Sequence, residues 1–233
     1  MEKLNLFCFG FGQVAKTFVS LLKSEKIDFK LTTTSRDKTE IKNYENIEYQ
    51  NYLFNDQKFD ENLFKSLEEA KYILISIPPV NDLDIVIKNF EKKLIKKNNK
   101  WITYLSATSV YGDHQGEWVN EASQTKPTSL NGVSRLNAEK SWLRLFNEFN
   151  LPVQVFRLSG IYSNQYNILN RLKKGEAKII KKKDQFFSRI HVEDIAKVLL
   201  KSITNFKKGE IYNISDDKPA SMEEVTRFAI KIL

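Results

Sequence analysis

Short apolar runs alternate with longer stretches whose apolar positions recur at helical spacing. Residues 4–9, Leu-Asn-Leu-Phe-Cys-Phe, are too apolar for a strand with one wet face and read as a buried strand. In residues 13–24, Val14, Phe18, Leu21 and Leu22 fall on one face of a helix. The alternation continues with strands at 29–33 and 47–52 and a short helix at 61–70. A nearly all-apolar strand at 72–77 is stopped by Pro78 and Pro79. Then come a long helix at 82–97, a strand at 101–106, the longest helix at 130–149 and a strand at 153–158. Strands without a polar face, joined by helices, predict an α/β chain: a doubly wound parallel sheet covered on both sides. After residue 160 the rhythm changes. Helices are expected at 167–174, 192–203 and 221–233, and a strand at 210–214. A hairpin is expected to pair 178–182 with 186–190. Glu193 and Asp194 suit the first turn of the second of these helices, and Ser221 with Glu224 forms a capping box for the third. Residues 1–160 are expected to form the core. Residues 161–233 are expected to form a small lobe interleaved with it, as one structural unit.

The first strand runs into Gly10-Phe11-Gly12-Gln13-Val14-Ala15, and a helix opens there. In that context G-x-G-x-x-A is the phosphate turn of a Rossmann-type dinucleotide site. Gly10 permits the turn, Gly12 lets the backbone approach a pyrophosphate, and Ala15 lets helix and strand pack closely. The cofactor contacts expected here are Gly10, Phe11, Gly12, Gln13 and Val14. Where an NAD site carries an acidic residue at the end of the second strand, this chain has Thr33-Thr34-Ser35-Arg36. Arg36 can pair with a 2′-phosphate, a charge-assisted bond of roughly 1.5–3 kcal/mol, with hydroxyls from Ser35 and Thr34. The plainer reading of Arg36 is a side chain in water. NADP is the expected cofactor, with NAD left open. By position, Asn55 and Asp56 are expected near the adenine, and Ser76, Ile77 and Pro78 along the cofactor.

Composition changes this picture little. The 233 residues carry a net charge of +8, with lysine runs at 92–100 and 178–183. No nucleic-acid motif surrounds those runs, so a solvated lysine-rich surface is the simpler reading and no nucleic-acid partner is expected. Cys8 is the one cysteine. It reads as core filling, and a reducing compartment suits it. No secretory signal and no apolar span of membrane length is seen, so a cytoplasmic protein without a membrane partner is expected. With two histidines and one cysteine, no metal site is expected.

Several motifs add a resemblance. They are the glycine turn, Leu105-Ser-Ala-Thr-Ser-Val-Tyr-Gly112 and Gly132-Val-Ser-Arg-Leu-Asn-Ala-Glu139. Phe156-Arg-Leu-Ser-Gly-Ile-Tyr162, Arg189-Ile-His-Val-Glu-Asp-Ile-Ala196 and Tyr212-Asn-Ile-Ser-Asp-Asp217 follow in order. Together they resemble an extended short-chain dehydrogenase/reductase of the NAD-dependent epimerase/dehydratase family. The nearest likeness is an atypical branch that includes the bacterial YeeZ-type proteins. The resemblance implies an oxidoreductase or epimerase/dehydratase acting on a small carbonyl or nucleotide-linked substrate. It also makes residues 161–233 a substrate lobe, which relatives complete with several tens of further residues. Pairing as a homodimer through helices that include 130–149 is left open.

The family's acid/base tyrosine and its lysine partner sit in Tyr-x-x-x-Lys. The resemblance puts Asn131 and Arg135 at those positions, and Ala107 at the Ser/Thr position between Ser106 and Thr108. Asn131 cannot exchange a proton at neutral pH. A nonstandard relay is therefore expected, with Tyr111, Ser106, Thr108, Asn131 and Arg135 as candidates and Arg135 also holding the ribose. Tyr111 also reads as a structural tyrosine, and Ser106 and Thr108 as strand-end hydroxyls. Tyr162 is a candidate for the substrate pocket, and Arg157, Ser159 and Gly160 lie at a strand end where ligands bind. His191 reads better as packing than as a base, and His114 as a surface residue. The alternative is a catalytically inactive NADP-binding sensor or scaffold.

Overall fold

The computed structural model describes residues 3–177 and 185–233. The first strand, β1 (Leu4–Phe9), is apolar on both faces because both are covered. Phe7 and Phe9 enter a core with α2 (Leu63–Glu69), α3 (Ile85–Lys96) and α4 (Leu130–Phe149), where Phe90, Tyr104 and Trp142 are buried. Leu6 and Cys8 enter the opposite core, against α1 (Gln13–Ser24) and α6 (Val192–Thr204), with Phe18, Trp101 and Leu199. Burial pushes the Cys8 thiol up, so it stays protonated inside this core.

The remaining strands are β2 (Phe29–Ser35), β3 (Glu40–Tyr44), β4 (Ile47–Leu53), β5 (Tyr72–Ile75), β6 (Trp101–Ala107), β7 (Val153–Leu158), β8 (Gly160–Tyr162), β9 (Arg189–His191) and β10 (Ile211–Ile214). The main sheet has the order β10-β7-β6-β5-β1-β2-β4-β3. Every pair in it is parallel except β3 with β4. The order reverses at β1, which has β2 on one side and β5 on the other. The crevice beyond that reversal is where doubly wound sheets bind ligands.

The hydrophobic pattern places the main parallel strands and helices to within a few residues. Two features differ from expectation. The link from β2 to β4 is a β-hairpin, whose turn residues Glu45 and Asn46 both have positive φ, 50° and 62°. That geometry suits a two-residue hairpin turn. Tyr44 of this hairpin is tied to α1 by its hydroxyl, 3.3 Å from Ser20 Oγ, and its ring lies under Lys16. The second difference is a correction. The expected strand over 186–190 is instead the short β9, which pairs in parallel with β8. Its expected partner segment lies outside the described residues. Of the later helices, α5 (Ile168–Lys173) and α7 (Met222–Ile232) lie against each other, and Ser221 Oγ accepts from Glu224 N to cap α7. Among the described residues, no helix is long and apolar enough to cross a membrane.

Candidate cofactor site and reaction mouth

At the end of β1 the chain turns through Gly10, at φ +86°. A side chain there is strained, and a Cβ would sit 2.7 Å from Ile77 Cγ2. The turn is braced from both neighbouring strands. Gly10 N donates to Thr34 Oγ1 at 2.9 Å, and Ser76 Oγ donates to the carbonyls of Phe9 and Gly10 at 3.0 and 3.2 Å. The hydroxyls of Thr34 and Ser76, expected to meet a ligand, thus serve the turn. Phe11 packs its ring on Tyr44 and Tyr49, against the β3–β4 hairpin. Val14 is buried, and Gln13 Oε1 is buried without a hydrogen-bond partner among the described residues.

Gly12 is different. It precedes α1, and a Cβ there would meet nothing within 4 Å. No side chain caps α1, and its first turn has no acidic residue. The first helical amide with a backbone acceptor is Lys16 N, on Gly12 O at 2.9 Å. Free amides, the positive end of a helix dipole and open space above a glycine suit an anion such as a diphosphate. On this geometry the turn fits the dinucleotide that its sequence implies.

At the end of β2, Ser35 is half-buried, and Arg36 after it is exposed, its side chain unpaired among the described residues. Asp56 is exposed in a depression of about 230 Å³ that also involves Asn55, Lys58, Phe59 and Asn89. Ile77 and Pro78 follow β5 beside the glycine turn.

The candidate reaction mouth lies where β6 ends in a 3₁₀ turn (Thr108–Val110) that packs against α4. Gly132 allows this close approach, since a Cβ there would lie 2.6 Å from Ser109 O. Ser129 caps α4 by accepting from Gly132 N. At helical spacing Asn131, Arg135, Ala138 and Trp142 share one face of α4. Ala138 and Trp142 are buried in the core, Arg135 is half-buried, and Asn131 is exposed one turn above it. Arg135 Nη1 donates to Leu105 O at 2.5 Å, and its guanidinium lies beside the buried Tyr104 hydroxyl, whose pKa burial pushes up. Thr108 is half-buried. Ser106 is 3% exposed, and its hydroxyl has no partner among the described residues.

The segment between β5 and α3 is fastened to α4. Ser134 Oγ donates to Asp82 Oδ1, and Trp142 Nε1 donates to Asp84 Oδ2 at 2.8 Å. The other Asp84 oxygen caps α3 by accepting from Val86 N and Ile87 N. Burial pushes the Asp84 carboxyl up, and these bonds oppose that shift.

Tyr111 lies below the mouth, 2% exposed. Its hydroxyl donates to Asn213 Oδ1 at 2.7 Å and accepts from Arg157 Nη1 at 2.9 Å. Arg157 is also held by Glu139: Nε lies 3.1 Å from both carboxylate oxygens and Nη2 lies 2.7 Å from Oε2. Both charged residues are buried, at 4% and 1% exposed. Asn213 N in turn donates to Glu121 Oε1 at 2.7 Å. Among the described residues no hydrogen bond joins Tyr111 to Arg135; the Tyr111 hydroxyl is bonded to Asn213 and Arg157 instead. Arg157 is likewise committed to Glu139 and Tyr111, and Ser159 Oγ donates to Ile214 O. Tyr162 lies edge-on to His191, whose Nδ1 accepts from Glu193 N to cap α6, while His114 meets the Gln124 carbonyl. The Glu139–Arg157 partnership escaped sequence reasoning. Its signal was a lone charged residue, Arg157, in the mostly apolar strand Val153–Leu158, which needs a buried partner. Among the described residues, no three His, Cys, Asp or Glu side chains are grouped to hold a metal.

Comparison with known proteins adds the family. A functionally unknown conserved protein from Silicibacter pomeroyi DSS is 33% identical, over 97% of this chain and 77% of that one, with a TM-score of 0.81. The dTDP-glucose 4,6-dehydratase from Bacillus anthracis str. Ames, solved with NAD, is 18% identical over 100% of this chain and 81% of that one, with a TM-score of 0.77. A UDP-N-acetylglucosamine 4-epimerase from Methanobrevibacter ruminantium M1, solved with UDP-N-acetylmuramic acid, is 18% identical over 100% and 82%, with a TM-score of 0.76. These last two show the fold. No curated protein matches the chain. The sequence model of the NAD dependent epimerase/dehydratase family matches residues 92–215, more than half of the chain. The chain belongs to the NAD dependent epimerase/dehydratase family.

Proposed function

We propose that this protein binds a nicotinamide adenine dinucleotide, NADP ahead of NAD, and acts as an oxidoreductase or epimerase/dehydratase on a carbonyl or sugar-nucleotide substrate. The observation that carries the reading is the open, uncapped start of α1 over Gly12, beside the crevice at β1. When bound, the nicotinamide supplies hydride transfer. The chain's own part is to hold the diphosphate on the amides at Gly12 to Val14 and the ribose phosphate on Arg36. Sugar nucleotides are favoured because two fold neighbours carry such substrates in their names.

At the mouth, Asn131 Nδ2 and Thr108 Oγ1 are the donors proposed to hold a substrate oxygen, with Ser106 behind them. Arg135 supplies positive charge. None of these groups exchanges a proton readily at neutral pH, so water at the open mouth takes that part. A second reading, a binder without chemistry, is favoured by one observation: Arg135 is already bonded to the Leu105 carbonyl.

Two measurements test the cofactor reading. Gly12→Ala puts its methyl group in open space, so the melting temperature should stay within about 2 °C of the parent. The same methyl occupies the path of the diphosphate, and calorimetry should show NADP(H) affinity falling by about tenfold or more. Equal affinities before and after the change would remove the glycine turn from the site. Arg36→Ala should lower NADPH affinity by roughly 10- to 100-fold while NADH binding moves little. Equal loss for both cofactors would sink the 2′-phosphate assignment.

A further inference from the structure

We infer that Asn51 determines which ribose substituent the site accepts, by fixing Ser35 as a hydrogen-bond donor; this rests on the dinucleotide reading above. Asn51 is on β4, opposite Thr33 of β2, and is 1% exposed. Its Oδ1 accepts from Thr33 Oγ1 at 2.9 Å. Its Nδ2 donates to Ser35 Oγ at 2.9 Å and to the Lys38 carbonyl at 2.8 Å.

The orientation of this amide is forced. The Lys38 carbonyl can only accept, so nitrogen must face it. The oxygen then faces Thr33, whose hydroxyl can donate. Both amide protons are committed, one of them to Ser35 Oγ. A hydroxyl that accepts there points its own proton elsewhere, and no described group takes it. Ser35 ends β2, the place from which a Rossmann sheet reads the adenosine ribose. The surrounding turn is held still as well. Phe54 N donates to Ser35 O at 2.8 Å and Leu53 N to Thr39 Oγ1 at 3.0 Å. Asn55 Nδ2 reaches Arg36 O at 3.4 Å.

The site thus offers an oriented O–H donor one residue before Arg36, whose guanidinium is unpaired among the described residues. A 2′-phosphate has only acceptors and uses both groups. A 2′-hydroxyl, which donates or accepts, gains little from the fixed direction. Asn51 is a positioning residue: it acts on the ligand through Ser35.

The test titrates two ligands that lack nicotinamide, 2′-phospho-ADP-ribose and ADP-ribose, into the full chain by calorimetry, with thermal melts alongside. Asn51→Asp keeps the side-chain size but turns the donor into an acceptor. The oxygen that replaces the amide nitrogen keeps a proton for the Lys38 carbonyl, so the buried carboxyl stays neutral, and Ser35 gives its own proton to that oxygen and presents a lone pair outward. The preference for the 2′-phosphate ligand should fall by about tenfold or more, with ADP-ribose affinity changing less than about threefold. Ser35→Ala, at a half-exposed site, should lower the preference by roughly 3- to 10-fold. On that background Asn51→Leu should lower it no further.

Equal weakening of both ligands by Asn51→Asp marks a merely structural asparagine and overturns the proposal. Should Asn51→Asp not fold, an unchanged preference in Ser35→Ala overturns it as well. A wild type without preference, whose ratio still shifts in these variants, removes the NADP assignment and keeps the Asn51–Ser35 coupling. Failure of the wild type to bind either ligand overturns both.

Discussion

Replacing Asn131 by Tyr and Arg135 by Lys is expected to raise turnover of a sugar nucleotide or related carbonyl by about 10²- to 10⁴-fold, the usual contribution of a positioned acid/base. Asn131 is exposed, so a phenol there has room, and helical spacing puts it on the face of α4 that carries Arg135. Position 135 lies one helical turn behind it on the same face of α4, within reach of the Leu105 carbonyl. An ammonium placed there stabilises the phenolate. Bringing a tyrosine from about 10 to about 7 takes roughly 4 kcal/mol of such help. The measurement follows nicotinamide absorbance with UDP- and dTDP-sugars, comparing parent, single and double variants. A double variant that folds and binds cofactor, yet is as slow as the parent, would show that residue 131 does not meet the reacting atoms. A parent already as fast as the double variant would refute the reading of a binder without chemistry.

Glu139→Ala is expected to cost about 3–5 kcal/mol of stability, because it strands the Arg157 guanidinium in the core. For a chain of this size that lowers the melting temperature by roughly 6–20 °C. The loss comes from an uncompensated charge, not from the pair's net value. Replacing both partners at once, as Glu139→Leu with Arg157→Met, should therefore recover most of it. Urea melts of the three proteins decide the matter. A double variant as unstable as Glu139→Ala would mean that packing at α4, and not the orphaned charge, sets the cost. Tyr111 loses a donor when Arg157 is replaced, so part of the recovery is spent on its hydroxyl.

The glycine turn was legible because Gly10 and Gly12 stand between an all-apolar run and an amphipathic one, and that spacing has few other uses. The long buried strands were legible for the same reason. The β3 strand was not: its residues alternate between half-buried and exposed, and its turn is Glu45-Asn46 instead of the Asn-Gly that announces a hairpin. At the site, Asn131 and Arg135 could be placed from their distance to Gly132 and Glu139 along one helix. Tyr111 could not, because what decides its role is Asn213, 102 residues away. The bonds that Thr34 and Ser76 make within the turn were hidden in the same way. Their hydroxyls look free in the sequence, and only the folded turn shows the amide and carbonyls that take them up. Asn51 left no local mark, since an asparagine in a strand reads as a weak β-former until its three partners are known.

The Tyr111–Asn213–Glu121 connection also bears on the order in which the protein is assembled during synthesis. The glycine turn, with its supports at Thr34 and Ser76, has all its parts once Ser76 has left the ribosome. The rim around Tyr111 waits for Asn213, which is made much later than Ser76. A nascent chain can therefore gain a place for the cofactor's phosphates well before it has a finished entrance for anything else.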